Sequence, residues 1–336
     1  MRKYRKLLIS ALLLALVVVL SFLLYRRTSQ ALQPPESILL LPEGDRLGYV
    51  NLRPVHLLDL TKSPVQFDQE YRDFIDETGI HLERDLDEAA ISRRDTPDGK
   101  DVESSEIFVA RFDVERLKNY LQKLSTATET YRAHIIFSIP NENHTVRACI
   151  LDGSRVAVTN MTAAGPMHGI IDQFLKPSRG PSLLADYYQD VPVTSVAWLI
   201  GRIPDDPDGV QLPGGLSFTF PAKAVAVASL RYNGALLCQA DVFAQSESDA
   251  KQIVDSANTH LMLARSIAQW MGAKGPDKDI KAAFASIQVQ QKEKMAVFTA
   301  TIPPVILKKI WAEVKPESPE PSSSPSPTPK NERRKR

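Results

Sequence analysis

Ser248 and Lys251 stand three residues apart in Ser248-Asp249-Ala250-Lys251. This is the SxxK spacing in which a lysine amine one helical turn away can take the proton of a serine nucleophile for acyl transfer. The motif falls at the start of a predicted helix, as that chemistry requires. Its companions are missing: no KTG follows, and Ser256-Ala257-Asn258 lies on the same helix, not on a separate loop. Ser246 or Ser248 as a helix N-cap accounts for the same residues without chemistry. Ser248 and Lys251 are the candidate catalytic pair, with the cap as the alternative. The second candidate set is the acidic run Glu83, Asp85, Asp87 and Glu88, interleaved with Arg84. Paired acids cleave glycosidic bonds when their surroundings push their pKa values apart, whereas a run this polar also reads as a solvated helix face.

Other chemistry is excluded or weakened by spacing. The six histidines (56, 81, 134, 144, 168, 260) include no pair at i, i+2 or i, i+4, no CxxC exists, and neither GxSxG nor a Walker loop occurs. The sequence therefore implies no metal and no cofactor. Asp206-Pro207-Asp208-Gly209 is similar to the middle of a calcium loop, but Pro204 and Gly215 occupy ligand positions, so a surface turn is expected. Asn143-His144-Thr145 and Asn160-Met161-Thr162 are formal glycosylation sequons. Cys149 and Cys238 lie on separate predicted strands, read either as a disulfide or as two thiols in apolar surroundings. Trp198, Trp270 and Trp311 fall on predicted apolar faces and are read as core.

The element that positions all of these is the uncharged 18-residue run Leu7–Leu24, preceded by Arg2, Lys3, Arg5 and Lys6 and followed by Tyr25, Arg26 and Arg27. At about 1.5 Å per helical residue it comes close to spanning a bilayer core of about 30 Å. The basic bias at its start keeps the N-terminus in the cytoplasm and sends the rest across. A signal peptide cut after Ala31 is the alternative; the length of the run and Arg26-Arg27 favour a retained anchor. The chain carries a net charge of +1. Six basic residues precede residue 28, and the tail from Lys315 holds six basic groups against three acidic, which leaves the body from Thr28 to Val314 at −8. Such a body repels phosphate backbones and excludes nucleic acid as a partner.

The predicted organisation is a basic end and anchor over 1–27, a stalk over 28–36 whose polar, proline-containing character continues to Pro42, two α+β halves over 37–180 and 181–314, and a disordered Pro/Ser-rich basic tail over 315–336. In the first half, strands are expected at Arg46–Asn51, Glu106–Phe112, Tyr131–Ile139, Thr145–Leu151 and Arg155–Thr159. Helices are expected at Phe67–Thr78, His81–Ala90, from Asp113 through Leu124, and at Ala163–Leu175. In the second half, strands at Ser195–Ile200, Ala222–Arg231 and Ala235–Ala244 precede a long helix from Ser246. A hairpin of Phe284–Gln290 and Met295–Ile302 follows, and a last helix from Pro303 through Ile306, Ile310, Trp311 and Val314. Asp152-Gly153 and Asn233-Gly234 are the hairpin turns, and Pro204–Gly215 a loop. The fold class is α+β, with antiparallel sheet covered by helices on one face.

The segments LPEGDRLGYVNLRPV (41–55), ETGIHLERDLDEAAIS (77–92), EIFVARFDVERLKNYL (106–121) and AVASLRYNGALLCQAD (226–241) resemble membrane-anchored exported bacterial proteins of a domain-of-unknown-function family. The resemblance implies an exported bacterial setting; it carries no activity and no site residue. The functional expectation is a single-pass protein of the bacterial inner membrane. It contacts the bilayer through residues 7–24, and its periplasmic body binds or scaffolds an unidentified protein or envelope partner. The alternatives are an anchored envelope hydrolase and a module for a lipid or other apolar ligand.

Overall fold

The structure, a computed structural model, describes residues 33–57, 69–96, 102–141, 144–161, 163–204, 210–212, 216–270, 282–283, 285–303 and 305. The anchor run 7–24 and the tail lie outside them, and no helix among the described residues is long and apolar enough to cross a membrane. The expected turn at 95–100, the calcium-like loop, Asn143 and the last helix also fall mostly or wholly outside them.

Alternating apolar residues and short turns build one twelve-stranded antiparallel sheet. Its strands are β1 (Arg46–Asn51), β2 (Leu86–Asp95), β3 (Val102–Ala110), β4 (Ala127–Tyr131), β5 (His134–Asn141), β6 (His144–Ile150) and β7 (Arg155–Thr159) from the first half. The second half supplies β8 (Ser195–Arg202), β11 (Val225–Tyr232), β12 (Leu236–Phe243), β13 (Gln288–Lys292) and β14 (Met295–Ile302), while β9 (Val210–Leu212) and β10 (Leu216–Phe218) form a separate hairpin. The spatial order is β13-β14-β12-β11-β8-β1-β2-β3-β7-β6-β5-β4. The two halves meet where β1 pairs with β8, so the sheet runs unbroken across the expected boundary at 180. In each half a central strand, a hairpin stepping outward and a helix are followed by antiparallel strands whose last member returns beside that hairpin; among the described residues these are four strands in the first half, β4 to β7, and two in the second, β13 and β14.

Helices cover both faces, which corrects the one-sided expectation. One face carries α1 (Glu36–Leu39), α6 (Gly165–Leu175) and α7 (Ser182–Tyr187), whose Ile38, Ile170, Ile171, Leu183 and Leu184 join Leu47, Ile107, Ile136, Cys149 and Trp198 in the largest core. The other face carries α3 (Gln69–Thr78), α5 (Val114–Leu124) and α8 (Glu247–Trp270). There Phe137 and Ala148 meet Leu117 and Leu121, and Val242 and Ala296 meet Ala250, Ile253, Val254 and Ala257. Successive strand residues point to opposite faces, so adjacent Ile136 and Phe137 enter different cores. A sheet apolar on both sides needs two helical layers.

Local signals hold where a side chain closes the element itself. Asp113 caps α5 by accepting the Glu115 and Arg116 N–H groups, and Gly79, at φ 74°, ends α3. Ser246 Oγ accepts the Asp249 N–H at 3.1 Å and starts α8. Four expectations are corrected. The stalk character ends at Pro35: α1 follows, and Ile38, Leu40 and Leu41 are core. The acidic segment after His81 is helical only over Leu82–Asp85 (α4) and then becomes β2, because Ala90 is needed in the sheet core. The Tyr131–Ile139 strand breaks into β4 and β5 around Arg132 and Ala133, which take positive φ values of 45° and 65° without glycine. The Phe284–Gln290 strand begins only at Gln288.

Candidate functional site

A cleft lies on the α1/α6/α7 face, at the sheet end where β1 finishes and β8 begins, with a volume of about 590 Å³. Register builds its floor. Asn51 pairs with Glu88, Glu88 with Val109, and Val109 with Arg155, which sets four residues in one line across β1, β2, β3 and β7. Beside that line Tyr49 sits directly opposite Trp198. Their rings stack at 5.7 Å, and Tyr188 from the 3₁₀ turn Tyr188–Asp190 meets Trp198 edge-on at 5.6 Å. Gln33, Pro34 and Pro35 form one wall, tied by the Tyr188 hydroxyl donating to Gln33 O at 3.2 Å.

Charges in the cleft come as pairs. Arg53, at the start of the short helix α2 (Arg53–Leu57), lies 3.3 Å from Glu88 and 3.4 Å from Asp87. Arg155 lies 2.7 Å from Glu36 and 3.5 Å from Asp152. Ser37 Oγ donates to Glu88 at 3.4 Å. Burial, then the Glu88 carboxylate that its hydroxyl bonds, raises the Tyr49 pKa well above the usual phenol range, and burial raises that of Tyr188. Both phenols are therefore neutral donors at physiological pH. With two guanidinium groups against two lining carboxylates the cleft has no net charge, yet it offers donors and acceptors side by side. Among the described residues no histidine, cysteine or lysine lines it.

The sequence-derived candidates lie elsewhere. Ser248 and Lys251 are exposed on the first turns of α8. No hydrogen bond joins them; the Lys251 ammonium binds Asp255 at 2.7 Å. The acidic run is split. Glu83 accepts the Tyr71 hydroxyl at 2.7 Å, and although burial pushes its pKa up, bonds from Tyr71, its own backbone and His81 outweigh that and hold it low. Asp85 clasps Arg84, while Asp87 and Glu88 turn to Arg53. Only Glu88 reaches the cleft. Asn160 spends its amide on Ser104 N and Val102 O. Cys149 and Cys238 are free thiols on β6 and β12, seven strand spacings or roughly 34 Å apart. Burial pushes Cys149 up to about 12 and raises Cys238. Among the described residues no group of three or more His, Cys, Asp or Glu is placed to hold a metal. The residues that sequence reasoning missed are Arg53 and Arg155; their only signal was an arginine beside a strand end, too common to select.

No protein-family model matches the chain, and no curated protein matches it. Among solved structures the chain is similar to crystal form III of TP0453, with a TM-score of 0.47 and 10% identity over 84% of this chain and 99% of that one. Crystal form I of TP0453 gives a TM-score of 0.45 and 9% identity over 83% and 98%.

Proposed function

We propose that the chain is a single-pass protein of the bacterial inner membrane, anchored through residues 7–24 with its N-terminus in the cytoplasm, whose periplasmic α+β body is a binding module. The observation that carries this reading is the cleft: two arginine–carboxylate pairs set in a row beside the buried Tyr49–Trp198 stack. Paired charges that cancel favour a neutral, hydroxyl-rich ligand, because each hydroxyl both donates and accepts. The periplasmic setting supplies that chemistry as envelope glycan. Gln33 follows the anchor by nine residues, and at about 3.3–3.6 Å per extended residue the cleft stays within about 32 Å of the anchor's end. The repeated connectivity supports two related halves over 37–180 and 181–314. No specific observation favours the hydrolase reading, since Lys251 is engaged by Asp255.

The test is calorimetric titration of the full chain in detergent with soluble envelope-glycan fragments. Saturable binding is expected, weakened at least ~10-fold by Arg53→Met and by Glu88→Gln, each a loss of about 1.4 kcal/mol or more. Absent saturation, or variants that bind as wild type does, would overturn the reading.

A further inference from the structure

The line across the cleft floor is not uniformly polar. Glu88 on β2, Val109 on β3 and Arg155 on β7 follow one another by direct pairing. Ala90, Ile107 and Ala157, two residues along each of those strands, belong to the core on the α1/α6/α7 face, so the three side chains rise from that same side of the sheet. An acceptor, a branched carbon side chain and a donor therefore stand in order, the outer two separated by two strand spacings, about 9.5 Å. Both outer groups have capacity left. A carboxylate has about four lone-pair sites, and three on Glu88 are taken by Ser37, Tyr49 and Arg53. Arg155 meets Glu36 and Asp152 through its two terminal nitrogens, which leaves others of the N–H groups a guanidinium carries.

On the reading of the cleft as a glycan site, we propose that the sugar it selects carries an N-acetyl group. In a trans secondary amide the C=O and N–H point in opposite directions, and so do the methyl and the substituent on nitrogen. The two partners of such an amide stand about 8 Å apart, one hydrogen bond beyond each end. Side chains leaning inward close the remaining gap between Glu88 and Arg155. Seated there, the acetamido group donates its N–H to the Glu88 carboxylate, and its C=O accepts from the Arg155 guanidinium. Its methyl then points down onto Val109 while the sugar ring points up to the cleft mouth. A hydroxyl at the same ring position is too short to bridge the two groups and leaves Val109 facing water. A free ammonium there supplies no acceptor for Arg155. The acetamido group is also uncharged, which suits a cleft whose own charges cancel.

The test is a matched series on one β-1,4-glucan backbone: tetramers of N-acetylglucosamine, glucosamine and glucose, titrated by calorimetry into the full chain in detergent. The acetylated tetramer is expected to bind at least ~10-fold more tightly than either of the others. Val109→Thr keeps the side-chain shape and replaces a methyl with a hydroxyl; it should cut that preference at least ~3-fold and leave the glucose tetramer unchanged. Equal affinity for the acetylated and glucose tetramers overturns this inference and leaves the glycan reading standing. So does binding of envelope-glycan fragments without binding of the acetylated tetramer, whereas binding of neither overturns both. Tightest binding of the glucosamine tetramer overturns the inference in favour of a cationic ligand. N-acetylalanine methylamide binding as tightly as the acetylated tetramer overturns it in favour of a peptide. A preference that Val109→Thr leaves intact overturns the seat on Val109.

Discussion

Replacing Asp85 with asparagine tests whether the acidic run serves the fold or chemistry. Asp85 is 7% exposed, and its carboxylate accepts the His81 N–H at 2.9 Å and two Arg84 N–H groups at 2.9 and 2.8 Å. The Arg84 bonds, then the His81 backbone, outweigh burial and hold its pKa below the usual carboxylate range. Asparagine keeps the shape and one acceptor but loses the charge. A hydrogen bond to a charged group contributes about 1.5–3 kcal/mol. Arg84 is 64% exposed, so solvent screening puts the loss at the lower end, ~2 kcal/mol. Because the folded pKa is depressed, this stability is fully present above the unfolded-state pKa and is lost as pH falls through the folded one. Wild type and Asp85→Asn should therefore differ at neutral pH and converge in acid. Urea unfolding followed by tryptophan fluorescence reads the gap as a midpoint shift of roughly 1 M. A neutral-pH gap under about 0.5 kcal/mol, or one that persists unchanged in acid, would refute the reasoning.

Asp241, 6% exposed on β12, is the opposite case: burial first, with Asp190 adding to it, outweighs Gln239 and the nearby cations and raises its pKa. A raised folded pKa means stability that is present below the unfolded value and lost as pH rises through the folded one, so Asp241→Asn should stabilise by roughly 0.5–2 kcal/mol at neutral pH and not in acid; thermal melts at both pH values check it. Gly180 sits at φ 71°, and a Cβ there would meet Leu39 Cα at 3.1 Å. Gly180→Ala should cost at least about 1–2 kcal/mol for the left-handed backbone alone, visible as a lowered melting temperature, with Gly153→Ala, where a Cβ meets nothing within 4 Å, as the comparison.

The reach of the sequence is clearest element by element. Arg46–Asn51, the Asp113 cap and the Asn233-Gly234 turn were legible because each is decided within a few residues. The Arg132-Ala133 turn was not, since neither residue prefers positive φ and only the pairing of β4 with β5 imposes it. The acidic stretch after His81 reads as helix by composition, but the sheet needs Ala90 on its inner face.

The candidate site was less legible still. Tyr49 and Trp198 each read as core residues, and both are. What the sequence could not supply is that β1 pairs with β8 in the register that stacks them, or that Glu88 and Arg155 lie on one line across four strands. On its own the sequence determined the uncharged run near its start, the acidic body and most single elements, because periodicity, caps and charge are properties of neighbours along the chain. The two-sided sheet and the cleft were decided only by tertiary structure, because strand order and register come from packing between residues distant along the chain, from Glu88 against Val109 to Tyr49 against Trp198.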